Sequence, residues 1–158
     1  MVRLLREVDV RKATGPDDVS PRTLKHCASE LAGPLSEAFT ACLEENTSPS
    51  LWKEAWVMPV HKRSARTELG NNRQNSLLSV VGKVFERVVA NEVCRHLDDN
   101  NLPSNQQFGF RVGWSTSDFL LFLSRDWQDD LDDGLAVALD IAGAFDQVWD
   151  AGLLEKLQ

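Results

Sequence analysis

The chain has 158 residues, of which 42% are hydrophobic and 26% charged, with nine Gly and six Pro. That balance suits one folded domain, or most of one, and excludes a disordered or fibrous chain. The net charge of −7 is the wrong sign for a protein that grips phosphate backbones through a broad basic surface. The imbalance is local. Residues 1–100 hold 14 basic and 14 acidic side chains, whereas residues 101–158 hold 3 and 10, so the acidic last third is either a solvated face or the start of a cation site.

Cys27, Cys42 and Cys94 are odd in number and have no CxxC or zinc-ligand spacing, so they are expected to be reduced and mostly in the core. Residues Met1 to Arg6 lack the apolar run of a signal peptide, and no stretch approaches the roughly 20 apolar residues of a membrane span. An intracellular, soluble protein is the expectation.

In chain order, Ser20-Pro21 followed by Leu24, Ala28 and Leu31 predicts an N-capped helix with proline in its first turn, ended by Gly33-Pro34. Leu35, Ala38, Phe39, Cys42 and Leu43 repeat at helical spacing and predict a second helix, broken at Pro49. Ala55 to Val60 has strand composition, with Pro59 at an edge or strand end. His61 to Asn75 carries Lys62, Arg63, Arg66 and Arg73 against the single acid Glu68 and is expected to be a basic, mobile loop. Leu78, Val81, Phe85, Val88 and Val89 predict a longer amphipathic helix to about Leu97, ended by Asp98-Asp99-Asn100-Asn101. Ser115 with Asp118 has the form of a capping box, and Phe119, Phe122, Leu123 and Trp127 would be the buried face of the helix it opens. Leu135 to Leu139 is expected to be a short buried strand with Asp140 at its end. A turn at Gly143 then leads to a last helix carrying Phe145, Val148, Trp149, Leu153, Leu154 and Leu157.

Three segments invite a chemical reading. Asp140 at a strand mouth, a turn, and then Asp146 could begin a metal site; polymerases need carboxylates that hold two Mg²⁺ ions roughly 4 Å apart. A strand-end Asp can equally be a helix cap or turn residue, and one Asp cannot bind two ions. Asp129 to Gly134 suggests a calcium loop but fails the EF-hand template, with Leu131 on a ligand position or Gly134 too early, so a solvated turn is the better account. Lys62 and Arg73 could project from a finger onto a triphosphate, or belong to an ordinary charged surface loop.

The order of several motifs resembles the reverse transcriptases of non-LTR retrotransposons, particularly the jockey-like ones, over nearly the whole chain. The blocks are Lys12-Ala13-Thr14-Gly15-Pro16-Asp17, Trp52-Lys53-Glu54-Ala55, Val57 to Lys62, Arg73 with Ser76-Leu77-Leu78-Ser79, and Lys83-Val84-Phe85-Glu86-Arg87. After them come Ser104 to Arg111, Ser115-Thr116, and Leu139-Asp140-Ile141 with Gly143-Ala144-Phe145-Asp146. The resemblance implies that Asp140 is a catalytic metal ligand, with the Ile141 backbone a lesser metal contact. It makes Phe145 the gate that disfavours a 2′-hydroxyl, Lys62 and Arg73 the contacts to the incoming triphosphate, and Gln107, Gly109, Phe110 and Arg111 the block along the template strand.

The implied fold is α/β (α+β), a partial right-hand polymerase with N-terminal helices at 1–50, fingers and template side at 51–133, and the first part of the palm sheet at 134–158. The implied activity is RNA-directed DNA polymerisation, with an RNA template, a DNA primer, a dNTP and Mg²⁺ or Mn²⁺, in a retroelement ribonucleoprotein of cytoplasm and nucleus, without membrane or a stable protein partner. The alternative is a non-catalytic relic that binds RNA or protein.

Departures from the family pattern set further expectations. Asn71-Asn72-Arg73-Gln74-Asn75-Ser76 replaces the usual Asn-Tyr-Arg-Pro-Ile-Ser, and Arg63-Ser64 stands where Lys-Gly is common. The later motif, an aromatic residue and Ala before paired aspartates, does not occur in the sequence. The isolated chain is therefore expected to be inactive, with exposed apolar surface beside the last strand.

Overall fold

The structure is a computed structural model that describes residues 1–61, 72–129, 137–141, 144 and 147–157. It divides into two units, Met1–Pro103 and Ser104–Gln158. The first holds a single core of Leu5, Leu24, Ala28, Ala32, Phe39, Val80, Val81 and Val84, drawn from helices α1 (Val2–Arg6), α2 (Pro21–His26), α3 (Ala28–Glu44) and α5 (Val80–Asp99). Around Phe39 the rings of Trp52, in α4 (Ser50–Lys53), and Phe85 close a three-membered aromatic cluster with centroids 5.1 to 5.7 Å apart. Fully burying a ring, as at Phe39, contributes on the order of 1.5–3 kcal/mol, and the half-buried Trp52 and Phe85 contribute less.

Ser20 caps α2 by accepting the Arg22 N–H at 3.3 Å, and Pro21 occupies the first turn, where its missing N–H costs nothing. The expected stop at Gly33-Pro34 does not occur. The chain breaks instead at Cys27 (φ −97°, ψ 28°), and α3 then runs straight through Pro34. A proline inside a helix costs about 3 kcal/mol. Here it lies on the exposed side, and the opposite stripe of Ala28, Ala32 and Phe39 is buried, so core burial outweighs the lost bond. The helix ends before Pro49, at Asn46 (φ 52°), whose N–H donates to the Leu43 carbonyl while the Thr47 N–H donates to that of Cys42 at 3.0 Å. Asn tolerates this left-handed conformation, and the paired bonds satisfy carbonyls left open at the helix end.

Strand β1 (Ala55–His61) pairs antiparallel with β2 (Asn72–Leu78), in register from Ala55 opposite Leu78 to His61 opposite Asn72. The first half of β2, Asn72–Asn75, falls in the segment expected to be a loop. Asn-Arg-Gln-Asn has no strand composition of its own; it becomes a strand because β1, with Trp56, Val57, Met58 and Val60, supplies a ladder to pair with.

Helix α5 begins at Ser79, whose hydroxyl accepts the Gly82 N–H at 3.0 Å, and runs two residues past Leu97 to Asp99. Its end repeats the α3 device, with Asn101 at φ 51° and the Leu102 N–H on the Leu97 carbonyl at 3.0 Å.

The β2–α5 junction is held from a distance. The fully buried Ser79 donates its hydroxyl to Asp17 Oδ2 at 2.5 Å, across 62 positions of chain. Two residues earlier, Gly15 is buried so closely against the junction that an added Cβ would lie 2.5 Å from the Leu78 carbonyl oxygen and the Ser79 nitrogen. Only glycine fits there.

In the second unit, α6 (Thr116–Asp129) opens on the capping box at Ser115 and Asp118, and α7 (Asp150–Lys156) follows its N-cap Trp149, so that Val148 and Trp149 lie before the helix rather than in it. The Trp149 ring packs on Gly152, where a Cβ would collide with it. Phe119, Phe122 and Leu123 are partly covered, but Trp127 is 55% exposed and does not share a buried face. The expected strand at 135–139 is also absent where it can be seen: residues 137–139 are not in a strand, and Leu139 is 89% exposed. A strand exists only within a ladder, and the described residues contain one sheet, β1–β2. Residues 135 and 136 lie outside the described residues.

The three cysteines are free, yet Cys27 and Cys94 are exposed and Cys42 is half-buried, which corrects the core expectation. Cys27 sits at the α2–α3 break and Cys94 on the outward side of α5, away from the core stripe at Val80, Val81 and Val84. No helix among the described residues is long and apolar enough to cross a membrane.

Candidate functional site

Arg73 stands near the end of the β1–β2 hairpin where His61 pairs with Asn72, exposed and opposite Val60. Lys62 lies outside the described residues; it follows His61 in sequence, and His61 pairs with Asn72, the neighbour of Arg73. The hairpin register thus places Arg73 next to the strand end at His61.

Asp140 and Ile141 are described, and both are exposed. Phe145 lies outside the described residues, as does Asp146. Among the described residues no group of three or more His, Cys, Asp or Glu side chains could hold a metal ion. Among the described residues one exposed carboxylate and a backbone carbonyl supply too few of the several converging carboxylates that a pair of divalent cations needs.

The candidate template block is the best-built of the three. The backbone N–H groups of Gln106 and Gln107 donate to the hydroxyl and carbonyl of Ser104 at 3.2 and 3.0 Å, folding the segment into a tight turn. Gln107 Nε2 donates to the Gly109 carbonyl at 3.2 Å. Phe110 follows with φ 61° and is 97% exposed. A left-handed backbone under a bulky aromatic is rare and costs about 1–3 kcal/mol. Arg111 turns back, its Nη1 donating to the Ser104 carbonyl at 2.9 Å, and its guanidinium lies 5.0 Å from the centre of the Trp114 ring. Gly113 (φ 80°) permits the bend between them.

Sequence reasoning passed over the residue that organises this block. Phe108 packs on Trp114 at 4.9 Å, Phe119 at 5.3 Å and Phe122 at 5.2 Å, fastening the loop to the first turns of α6. Phe119 and Phe122 are one helical turn apart, and that repeat beside Phe108 and Trp114 was the available signal. A cavity of about 590 Å³ lies alongside, lined by Gln106, Phe108, Phe110, Trp114, Thr116 and Phe119.

The capping box fixes the direction of α6. Asp118 Oδ2 accepts the Ser115 N–H at 2.7 Å and its hydroxyl at 2.6 Å, and the Asp118 N–H donates back to Ser115 Oγ at 3.3 Å. The Ser115 hydroxyl, then its N–H, hold the Asp118 carboxyl below the usual carboxylate range.

In the first unit a cavity of about 420 Å³ brings Lys12 of the first motif block against Lys83, Glu86 and Arg87 of the fifth. Arg87 pairs with Glu7 at 3.6 Å, so both signs of charge meet there and the cavity has no net preference for an anion.

Residues 60–158 match the family described as reverse transcriptase (RNA-dependent DNA polymerase). Among curated proteins, the chain is 31% identical to a probable RNA-directed DNA polymerase from transposon BS of Drosophila melanogaster, over 100% of this chain and 18% of that protein. It is 29% identical to the RNA-directed DNA polymerase from mobile element jockey of the same species, over 97% of this chain and 17% of that protein. A Pol polyprotein from the type-1 retrotransposable element R1 of Bradysia coprophila is 28% identical over 97% of this chain and 15% of its own length. The chain therefore spans less than a fifth of each of these relatives.

Proposed function

Because the chain belongs to the reverse transcriptase (RNA-dependent DNA polymerase) family, we propose that it supplies the fingers and early palm of an RNA-directed DNA polymerase from a non-LTR mobile element. In that reaction a primer 3′-hydroxyl, losing its proton, attacks the α-phosphate of a dNTP opposite an RNA template; a phosphodiester bond forms as the α–β phosphoanhydride breaks, and pyrophosphate leaves. The observation that carries the reading is the hairpin register, with His61 opposite Asn72 and Val60 opposite Arg73. It supports a finger whose end bears Arg73, which, with Lys62 next after His61 in sequence, would neutralise a triphosphate before transfer.

Asp140 would be one carboxylate ligand of the divalent cation, Mg²⁺ or Mn²⁺, with the Ile141 carbonyl beside it. When bound, that cation would lower the charge on the reacting oxygens. Phe145 would exclude a 2′-hydroxyl, and Gln107, Gly109, Phe110 and Arg111 would lie along the template. Such an enzyme would work with RNA in a ribonucleoprotein of cytoplasm and nucleus.

The test is kinetic, in a complete polymerase that carries this segment. Arg73→Ala is expected to raise KM for dNTP about tenfold, on the order of one charge-assisted hydrogen bond, while Arg73→Lys loses less. An unchanged KM in Arg73→Ala would remove the finger assignment.

A second reading, an RNA-binding module without catalysis, is favoured by one contrast. Residues 104–118 form a built site among the described residues, while Asp140 stands exposed and outside any ligand cluster.

A further inference from the structure

We propose that Trp114 is a positioning residue that holds the Arg111 guanidinium ready for a phosphate of single-stranded RNA. The inference rests on the reading that the loop of residues 104–114 faces RNA. It adds a residue outside the motif blocks, with a physical task.

A free arginine on a loop samples many rotamers, and immobilising it on binding costs about 0.5–1.5 kcal/mol. Here that cost is met before a ligand arrives. Nη1 is fastened to the Ser104 carbonyl at 2.9 Å, and the guanidinium lies over the Trp114 ring, 5.0 Å from its centre. Among the described residues Nε and Nη2 have no acceptor, so the remaining donors of the fork are available to a phosphate oxygen.

Trp114 is itself held. Its ring is only 39% exposed and meets Phe108 edge-on at 4.9 Å, and Phe108 leans on Phe119 and Phe122 of α6. The order of support runs from α6 through Phe108 and Trp114 to Arg111. The only basic side chains in the last third are Arg111, Arg125 and Lys156, against ten acids. A single cation in so acidic a region attracts RNA weakly at long range, so its value depends on being held in place. The aromatic cavity beside it suits one unpaired base following the contacted phosphate, which favours a single strand over a duplex.

The experiment is fluorescence anisotropy of a labelled single-stranded oligoribonucleotide titrated with the 158-residue chain over a salt series. Arg111→Ala is expected to weaken binding about tenfold and to flatten the log–log salt dependence by about 0.7, the release from one single-strand phosphate. Trp114→Ala should cause a comparable loss and the same flattening, and the double variant should lose no more than either alone. Trp114→Phe keeps a π face and should recover most of the affinity. Trp114→Leu keeps apolar volume without one and should not, which separates positioning from packing should Trp114→Ala unfold the second unit. Additive losses, an unchanged salt slope in Trp114→Ala, or full affinity in Trp114→Leu would overturn the proposal. Failure of the unaltered chain to bind RNA at low salt would remove the RNA-facing reading as well, whereas binding with additive losses removes the Trp114 role alone.

Discussion

At the scale of single residues, Ser79 does two jobs with one hydroxyl: it caps α5 through the Gly82 N–H and donates to Asp17. Ser79→Ala removes the cap and leaves Oδ2 of the half-buried Asp17 without its donor, while Oδ1 keeps the Val19 N–H at 3.4 Å. The expected loss is about 2 kcal/mol, read as a lower denaturant midpoint, and a loss under 0.5 kcal/mol would mean the clamp is not structural. Both ends of this clamp stand in motif blocks legible in the sequence. Their contact across 62 positions was not, because nothing in local spacing reports a long-range hydrogen bond. The pairing of Ser115 with Asp118, by contrast, was legible because both partners lie within one helical turn. The Asp118 carboxyl is held below its ordinary value of 3.8. A depressed folded-state value means the cap's contribution is fully present above that ordinary value and fades as pH falls below it, through the folded value. The protection of the first-turn amides of α6, taken relative to intrinsic exchange at each pH, should therefore fall under acid, and Asp118→Asn should abolish that fall; an identical protection profile in the variant would contradict the assignment.

At the scale of elements, helices with an apolar stripe and a nearby cap were legible, and strand pairing was not. Helix α5 lies within two residues of its expected end because Ser79, Val81, Phe85 and Asn101 each carry a local signal. Strand β2 was missed because Asn72 to Asn75 is polar at every position, and its conformation comes from the partner strand. Gly33-Pro34 misled in the other direction, since local chemistry there opposes a helix that the burial of Ala28, Ala32 and Phe39 sustains. That conflict can be measured. Pro34→Ala restores a donor for the Glu30 carbonyl and removes the ring clash, while loosening the unfolded chain. The net should be about 2 kcal/mol of added stability in a thermal melt; a destabilised variant would mean that α3 depends on the proline.

At the scale of the whole molecule, the two units differ in how much of their apolar surface they bury. Every buried hydrophobic side chain among the described residues belongs to Met1–Pro103, while Leu120, Leu121, Val137, Leu139, Ile141, Trp149 and Leu154 of Ser104–Gln158 are exposed. The candidate site is only partly assembled among the described residues. The hairpin bearing Arg73 and the loop of residues 104–114 are built from neighbours in sequence, whereas a metal site needs carboxylates from separate strands. The most direct test of the central claim is primer extension on an RNA template by a complete polymerase carrying this segment, compared with its Asp140→Asn variant. The account predicts template-dependent dNTP incorporation that falls by about a thousandfold in the variant, several kcal/mol of lost stabilisation; incorporation that survives Asp140→Asn unchanged would contradict it.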